Sequence, residues 1–133
     1  MRKFTHSQVD TLLRRLAEQV KRTAETADVE SVHDLRVAIR RLSRALRLFA
    51  QFFPGKQWKR IRKELSYLMD AAAALRDSDV ALELLEKAGV GKRARTTLAL
   101  QSRRRTAEAK LLEELQLWQA RNFAHEWREA LEL

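Results

Sequence analysis

Between Val32 and Phe53 the apolar residues recur with a helical period while the polar ones gather on the opposite side. No other part of the chain restricts the fold as much. At about 100° per residue, Leu35, Ala38, Ile39, Leu42, Ala45, Leu46, Phe49 and Phe53 share one face. His33, Arg36, Arg40, Arg44 and Arg47 fall opposite them, in a stripe roughly 80° wide. A helix with these two faces must bury one against partner helices and leave the other to solvent or a ligand. Only Asp34 interrupts the basic side. An ordinary solvated face mixes signs, with Glu four residues before Lys or Arg, so here the arginines repel one another without relief from their own helix.

Composition sets the company this helix keeps. The 133 residues fit a single domain, 1–133, with one moderate core. Only 3 Gly and 1 Pro occur, strong helix formers dominate, and no segment alternates like a strand. The reading is therefore all-α: an antiparallel bundle of about four long helices with short connecting and terminal helices. The absence of cysteine excludes disulfides and thiolate chemistry and suits a reducing, cytoplasmic setting. The N-terminus Met-Arg-Lys-Phe-Thr-His lacks the apolar centre of a signal peptide, and no membrane association is expected.

The net charge of +9 is unevenly placed. Residues 29–63 hold ten Lys and Arg against Glu30 and Asp34, a net +8, whereas 64–91 carry −4. Nearly the whole excess lies on one helical hairpin, which directs the field at a partner.

A first helix is expected from about Thr5 to Ala27, with Val9, Leu12, Leu13, Leu16 and Val20 inward. The second opens at Asp28 or Ser31, both N-cap types, and closes at Phe53-Pro54-Gly55. A third, Lys56 to Leu75, buries Trp58, Ile61, Leu65, Leu68, Met69 and Ala72 and turns Lys56, Lys59, Arg60 and Lys63 outward. Asp77 and Asp79 suit the cap and first turn of a separate short helix ending at Lys87, before Gly89-Val90-Gly91. The last long helix, Lys92 to Gln116, presents Ala94, Leu98, Leu112 and Leu115 inward, with Leu111 adjoining. Lys92, Arg95, Arg103 and Lys110 line one of its sides. Phe123, Trp127 and Leu131 then mark a terminal helix. Together with Trp118 these aromatics exceed what a small monomer is expected to bury, which favours pairing of chains.

From His33 to Arg47 the stripe spans ~21 Å at 1.5 Å per residue, the reach of a linear polyanion rather than one small ion. Guanidinium forks and ammonium groups without carboxylates suit a chain of phosphoryl oxygens, and His33 near a helix N-terminus adds an imidazole donor. A merely solvated basic face is the plainer alternative, weakened by the scarcity of acids on two adjoining helices. Arg76, Asp77 and Asp79 read better as a capped junction with an internal Arg–Asp pair than as a catalytic carboxylate pair. His6, His33 and His125 lack metal-ligand spacing, and the Gly89-Val90-Gly91 run is no phosphate loop. No catalytic residue, metal or cofactor is expected.

The run Val32-His33-Asp34-Leu35-Arg36-Val37-Ala38-Ile39-Arg40-Arg41-Leu42-Ser43-Arg44-Ala45-Leu46-Arg47-Leu48-Phe49, followed by Arg76-Asp77-Ser78-Asp79-Val80, resembles the CHAD family, the conserved histidine α-helical domain. The resemblance implies two similar helical bundles about a pseudo-twofold axis, of which this chain matches one half. It implies binding of inorganic polyphosphate in a basic groove, residence on polyphosphate granules, and association with granule proteins or a CYTH-type triphosphate tunnel enzyme. By motif position His33, Arg36, Arg40, Arg44 and Arg47 would line the phosphate path and Arg41, at the stripe's edge, would contribute. Arg76 with Asp77 would secure the interhelix junction. Lys56, Lys59, Arg60, Lys63, Arg103 and Lys110 join the candidates from charge geometry. A homodimer would rebuild the two-half pore from identical halves. The competing function is sequence-independent nucleic-acid binding. Against it, the stripe lacks aromatics for stacking bases and has few Asn or Gln for reading base edges.

Overall fold

The computed structural model describes Met1–Leu133. Five α-helices follow in order: α1 (Arg2–Glu25), α2 (Val29–Leu48), α3 (Gly55–Lys87), α4 (Arg95–Ala120) and α5 (Phe123–Ala130), with a 3-10 turn at Ala50–Phe52. The chain is 86% helical and has no strand. Helices α1 to α4 form an antiparallel bundle in which α2 lies between α1 and α3, while α4 packs on α3 and α1.

The chain breaks where its turn chemistry allows. Asp28 caps α2, its carboxylate accepting from the Ser31 N–H at 2.8 Å, and the Ser31 hydroxyl donates back to the Thr26 carbonyl. That backbone donor holds the Asp28 carboxyl below its usual range. Phe53-Pro54 closes the α2–α3 hairpin, with Phe53 buried and stacked on His6 of α1 at 5.2 Å. After α3 the Val90 N–H reaches the Leu85 carbonyl at 2.9 Å across Gly89, whose φ of 76° a side chain would oppose.

The predicted junction after Leu75 is absent. α3 runs unbroken through Arg76-Asp77-Ser78-Asp79, so none of these residues caps a new helix, and Arg76 and Asp77 form no ion pair that would secure a junction there. No Gly or Pro stands between Gly55 and Gly89, and the cap-type side chains are satisfied in other ways. Ser78 bonds back to the Ala74 carbonyl at 3.3 Å. Asp79, buried, receives Arg104 Nε at 2.6 Å. The same guanidinium donates to Glu108 at 3.0 Å and to the Ala27 carbonyl at 3.1 Å, joining α3, α4 and the α1–α2 link.

One apolar cluster of 26 buried residues fills the bundle, and none of them comes from 76–110. At about 1.5 Å per residue, α3 is ~50 Å long and α2 ~30 Å, so the far ends of α3 and α4 project as a two-helix extension. Leu98 is 50% exposed there, contrary to its expected inward role, whereas Leu111 is fully buried. Helix rotation explains both: Leu111, Leu115 and Trp118 share the face that meets α1 and α3 where four helices are present.

The terminal aromatics also differ from expectation. Trp118, Phe123 and Trp127 are 5%, 3% and 0% exposed, packed as a triangle with centroids 4.9 to 5.1 Å apart. Asn122, at φ 50°, reverses the chain so that α5 folds back over the bundle. Trp127 Nε1 donates to Glu64 at 3.1 Å, and Arg121 forks onto both oxygens of the same carboxylate. These three aromatics are therefore consumed within the chain and give no support to a dimer.

Two outcomes test this packing. Arg104→Ala should cost about 2–3 kcal/mol in urea unfolding, somewhat less than loss of a fully buried partner because Arg104 is partly exposed. Asp79→Leu in that background should recover part of the loss, since no charge is then stranded. Asp10 accepts from Arg128 of α5 at 2.7 Å and from Arg14 at 2.6 Å. The Arg128 hydrogen bond foremost holds its carboxyl below the usual range, against the opposing effect of burial. A lowered folded pKa contributes stability that is complete above the unfolded value of about 3.9 and lost as pH falls through the folded one. Asp10→Asn should therefore flatten the acid limb of the stability curve measured between about pH 5 and pH 2.

Candidate functional site

Burial of Val32, Leu35, Ile39, Leu42 and Leu46 turns the opposite side of α2 outward. His33, Arg41, Arg44 and Arg47 are exposed, and Arg36 and Arg40 half-buried. Asp34, the one carboxylate beside them, is taken by Arg22 of α1 at 2.7 Å, which raises that guanidinium's pKa.

The basic residues fall into two populations. Of 27 lysines and arginines, Arg14, Arg22, Arg60, Lys87, Arg104, Arg121 and Arg128 pair with carboxylates. None of the five arginines on α2 does, so their field stays uncompensated. Free guanidinium forks in a row, with no acid among them, can bind oxyanions along a line.

The helix-three candidates divide. Lys56, Lys59 and Lys63 are exposed and without a carboxylate partner, with Lys59 Nζ 5.8 Å from the Trp58 ring centre. Arg60 is turned the other way, to Glu126 of α5 at 3.3 Å and Glu64 at 3.6 Å, and serves as a structural tie. Lys110 lines a cleft of about 650 Å³ between α3 and α4, together with Glu64, Tyr67, Asp70 and Glu114. That cleft mixes signs and lies on the far side of α3 from the arginines. Arg103 is exposed on α4, not on α2's flank. His33 to Arg47 and the three α3 lysines thus stay free of carboxylate partners, whereas Arg60 is committed to Glu126 and Glu64, Lys110 lines the α3–α4 cleft and Arg103 stands on α4.

One residue that periodicity passed over joins the site. Arg62 of α3 donates from Nε to Ser43 Oγ of α2 at 3.2 Å. The two line a cleft of about 210 Å³ with Ile39, Leu65, Ser66 and Met69. On a helical wheel Arg62 falls between the buried and outward faces, and only the placement of α2 decides which neighbour it meets. The sole sequence signal was its position beside the core residue Ile61.

No group of three His, Asp or Glu side chains is placed to hold a metal ion, and no helix is long and apolar enough to cross a membrane.

The family model of the CHAD domain matches residues 7–133, and the chain belongs to that family. Neither the comparison with curated proteins nor that with solved structures gave a match.

Uncompensated arginines at i,i+4 should cost the free protein stability. Arg40→Gln with Arg44→Gln is expected to raise the thermal midpoint by about 1–3 °C at low ionic strength. The gain should vanish near 0.5 M salt, about where the Debye length falls below the spacing of the charges. Scanning calorimetry at both salt concentrations checks this.

Proposed function

We propose that this CHAD-family chain binds inorganic polyphosphate along the outward face of α2 and does not turn it over. The family as a whole is associated with polyphosphate binding. The observation that carries the reading is the row His33, Arg36, Arg40, Arg44 and Arg47, in which no member has a carboxylate partner. A flexible polymer charged at every unit can satisfy successive guanidinium groups over ~21 Å. Such binding would also carry the protein to polyphosphate granules, where granule proteins or a CYTH-type enzyme become its neighbours.

Nucleic acid offers the same phosphate charge, but its binders add aromatic platforms for the bases. Here Tyr67 lines the α3–α4 cleft, away from the arginines.

A single α2 face leaves a bound polymer open to water on one side. A second copy, related by a twofold axis, would enclose it between two arginine rows. Two like-charged faces repel, so we infer that pairing requires the polyanion between them.

Isothermal titration with long-chain polyphosphate at physiological salt should show binding that equimolar-phosphate DNA does not displace. Arg40→Glu with Arg44→Glu should abolish it, while Arg105→Glu, on α4, should weaken it less than about threefold. Displacement by DNA, or equal losses at both places, would mean a generic polyanion surface. Sedimentation of the same samples should give a monomer alone and a dimer with polymer; a monomer in both would overturn the enclosed arrangement.

A further inference from the structure

The two flanks of α2 differ in sign. Toward α1 the arginine row borders a shallow cleft lined by Leu12, Arg15, Gln19, Asp34 and Arg41. Asp34 and Glu30 both approach Arg22 on this side, at 2.7 and 3.6 Å. A phosphate chain shifted this way would meet carboxylates. Toward α3 the 210 Å³ cleft contains none: Ser43 and Ser66 supply hydroxyls, Arg62 a guanidinium, and Ile39, Leu65 and Met69 an apolar floor. The nearby α3 carboxylates, Glu64 and Asp70, line the opposite cleft, with α4. Between Arg62 and Met69, then, the side of α3 that faces α2 offers a guanidinium and a hydroxyl and no carboxylate.

Two donors in this region are uncommitted. Arg62 spends only Nε, on Ser43, and pairs with no carboxylate. Arg36 Nε is buried without a hydrogen-bond partner, although a buried donor is costly to leave unmet. Arg36 and Ser43 lie seven residues, two turns, apart on one edge of α2. A phosphate chain laid along the groove, over the ~10 Å that two helical turns span, would pass Arg36 at one end and Arg62 at the other.

We propose that the polyphosphate chain is seated off the crest of α2, in the α2–α3 groove, with Arg62 as its anchor and Ser43 as the residue that positions Arg62. This rests on the polyphosphate reading above and adds to it a subsite for a phosphoryl group. Ser43 holds the guanidinium plane so that its two terminal nitrogens present a fork to the phosphate, which a lysine at the same place could not do.

Titration of the whole chain with tripolyphosphate, short enough to report one subsite, tests the assignment. Arg62→Ala should weaken binding roughly tenfold or more, as for loss of charged hydrogen bonds. Arg62→Lys keeps the charge and loses the fork, and should recover only part of that affinity. Ser43→Ala leaves the charge unchanged and should cost about two- to fivefold. Arg15→Ala, on the opposite flank, should cost less than about twofold. Circular dichroism and thermal midpoints establish that each variant is folded; should Arg62→Ala fail to fold, Arg62→Lys and Ser43→Ala carry the comparison. Equal losses for Arg62→Ala and Arg15→Ala, or wild-type affinity in Arg62→Lys and Ser43→Ala, would overturn the groove. Failure of the unaltered chain to bind long-chain polyphosphate would instead overturn the function on which it rests.

Discussion

Burial of one side of α2 between α1 and α3 is the constraint on which the other features depend. Val32, Leu35, Ile39, Leu42 and Leu46 are at most 2% exposed, and each such side chain contributes about 1.5–3 kcal/mol. A rotation of α2 by half a turn would draw five arginines into the core and expose this whole set, a change the bundle cannot accommodate. The orientation of the basic row is therefore a by-product of apolar packing. Its charges repel, and the core holds them in register all the same.

The chain handles its positive charge in two ways. Where an arginine joins elements, a carboxylate waits for it: Arg104 with Asp79, Arg121 with Glu64, Arg128 with Asp10. These pairs bind α4 to α3, α4's end to α3, and α5 to α1. On α2 no such partner exists, and Arg22 removes even Asp34 from the row. α3 repeats the division along its own axis, with Arg62 toward α2 and Glu64 and Asp70 toward α4. A single helix thereby forms a basic groove on one side and a structural network on the other.

How much was legible in the sequence varied with the kind of signal. The 3.6-residue period identified α1 and α2 and most of their inward residues, although α2 ends at Leu48 and Phe53 is buried beyond a 3-10 turn instead of continuing the helix, and Pro54-Gly55 marked the tight hairpin. The caps were harder. Asp28 does cap a helix, but Asp79, a residue of the same type, lies inside α3 because Arg104, 25 residues away, satisfies it. Local propensity cannot distinguish the two cases, since the deciding partner is on another helix. Lys59 and Arg60 are neighbours in a basic cluster, yet Arg60 answers to Glu126 and Lys59 to solvent. Leu98 and Leu111 carry the same side chain in one helix and differ because only the second lies on the face that meets α1 and α3.

Spacing within single segments was enough to establish the helical class, the one-sided core of α2 and the presence of an acid-poor arginine row. The sequence also carried the family motif, which runs along that same helix. Tertiary structure alone decided that α3 is continuous, that Trp118, Phe123 and Trp127 are consumed within the chain, and that Arg62 rather than Arg60 meets α2. Each of those outcomes depends on what faces a residue across a helix interface, and that pairing is created only when the helices pack.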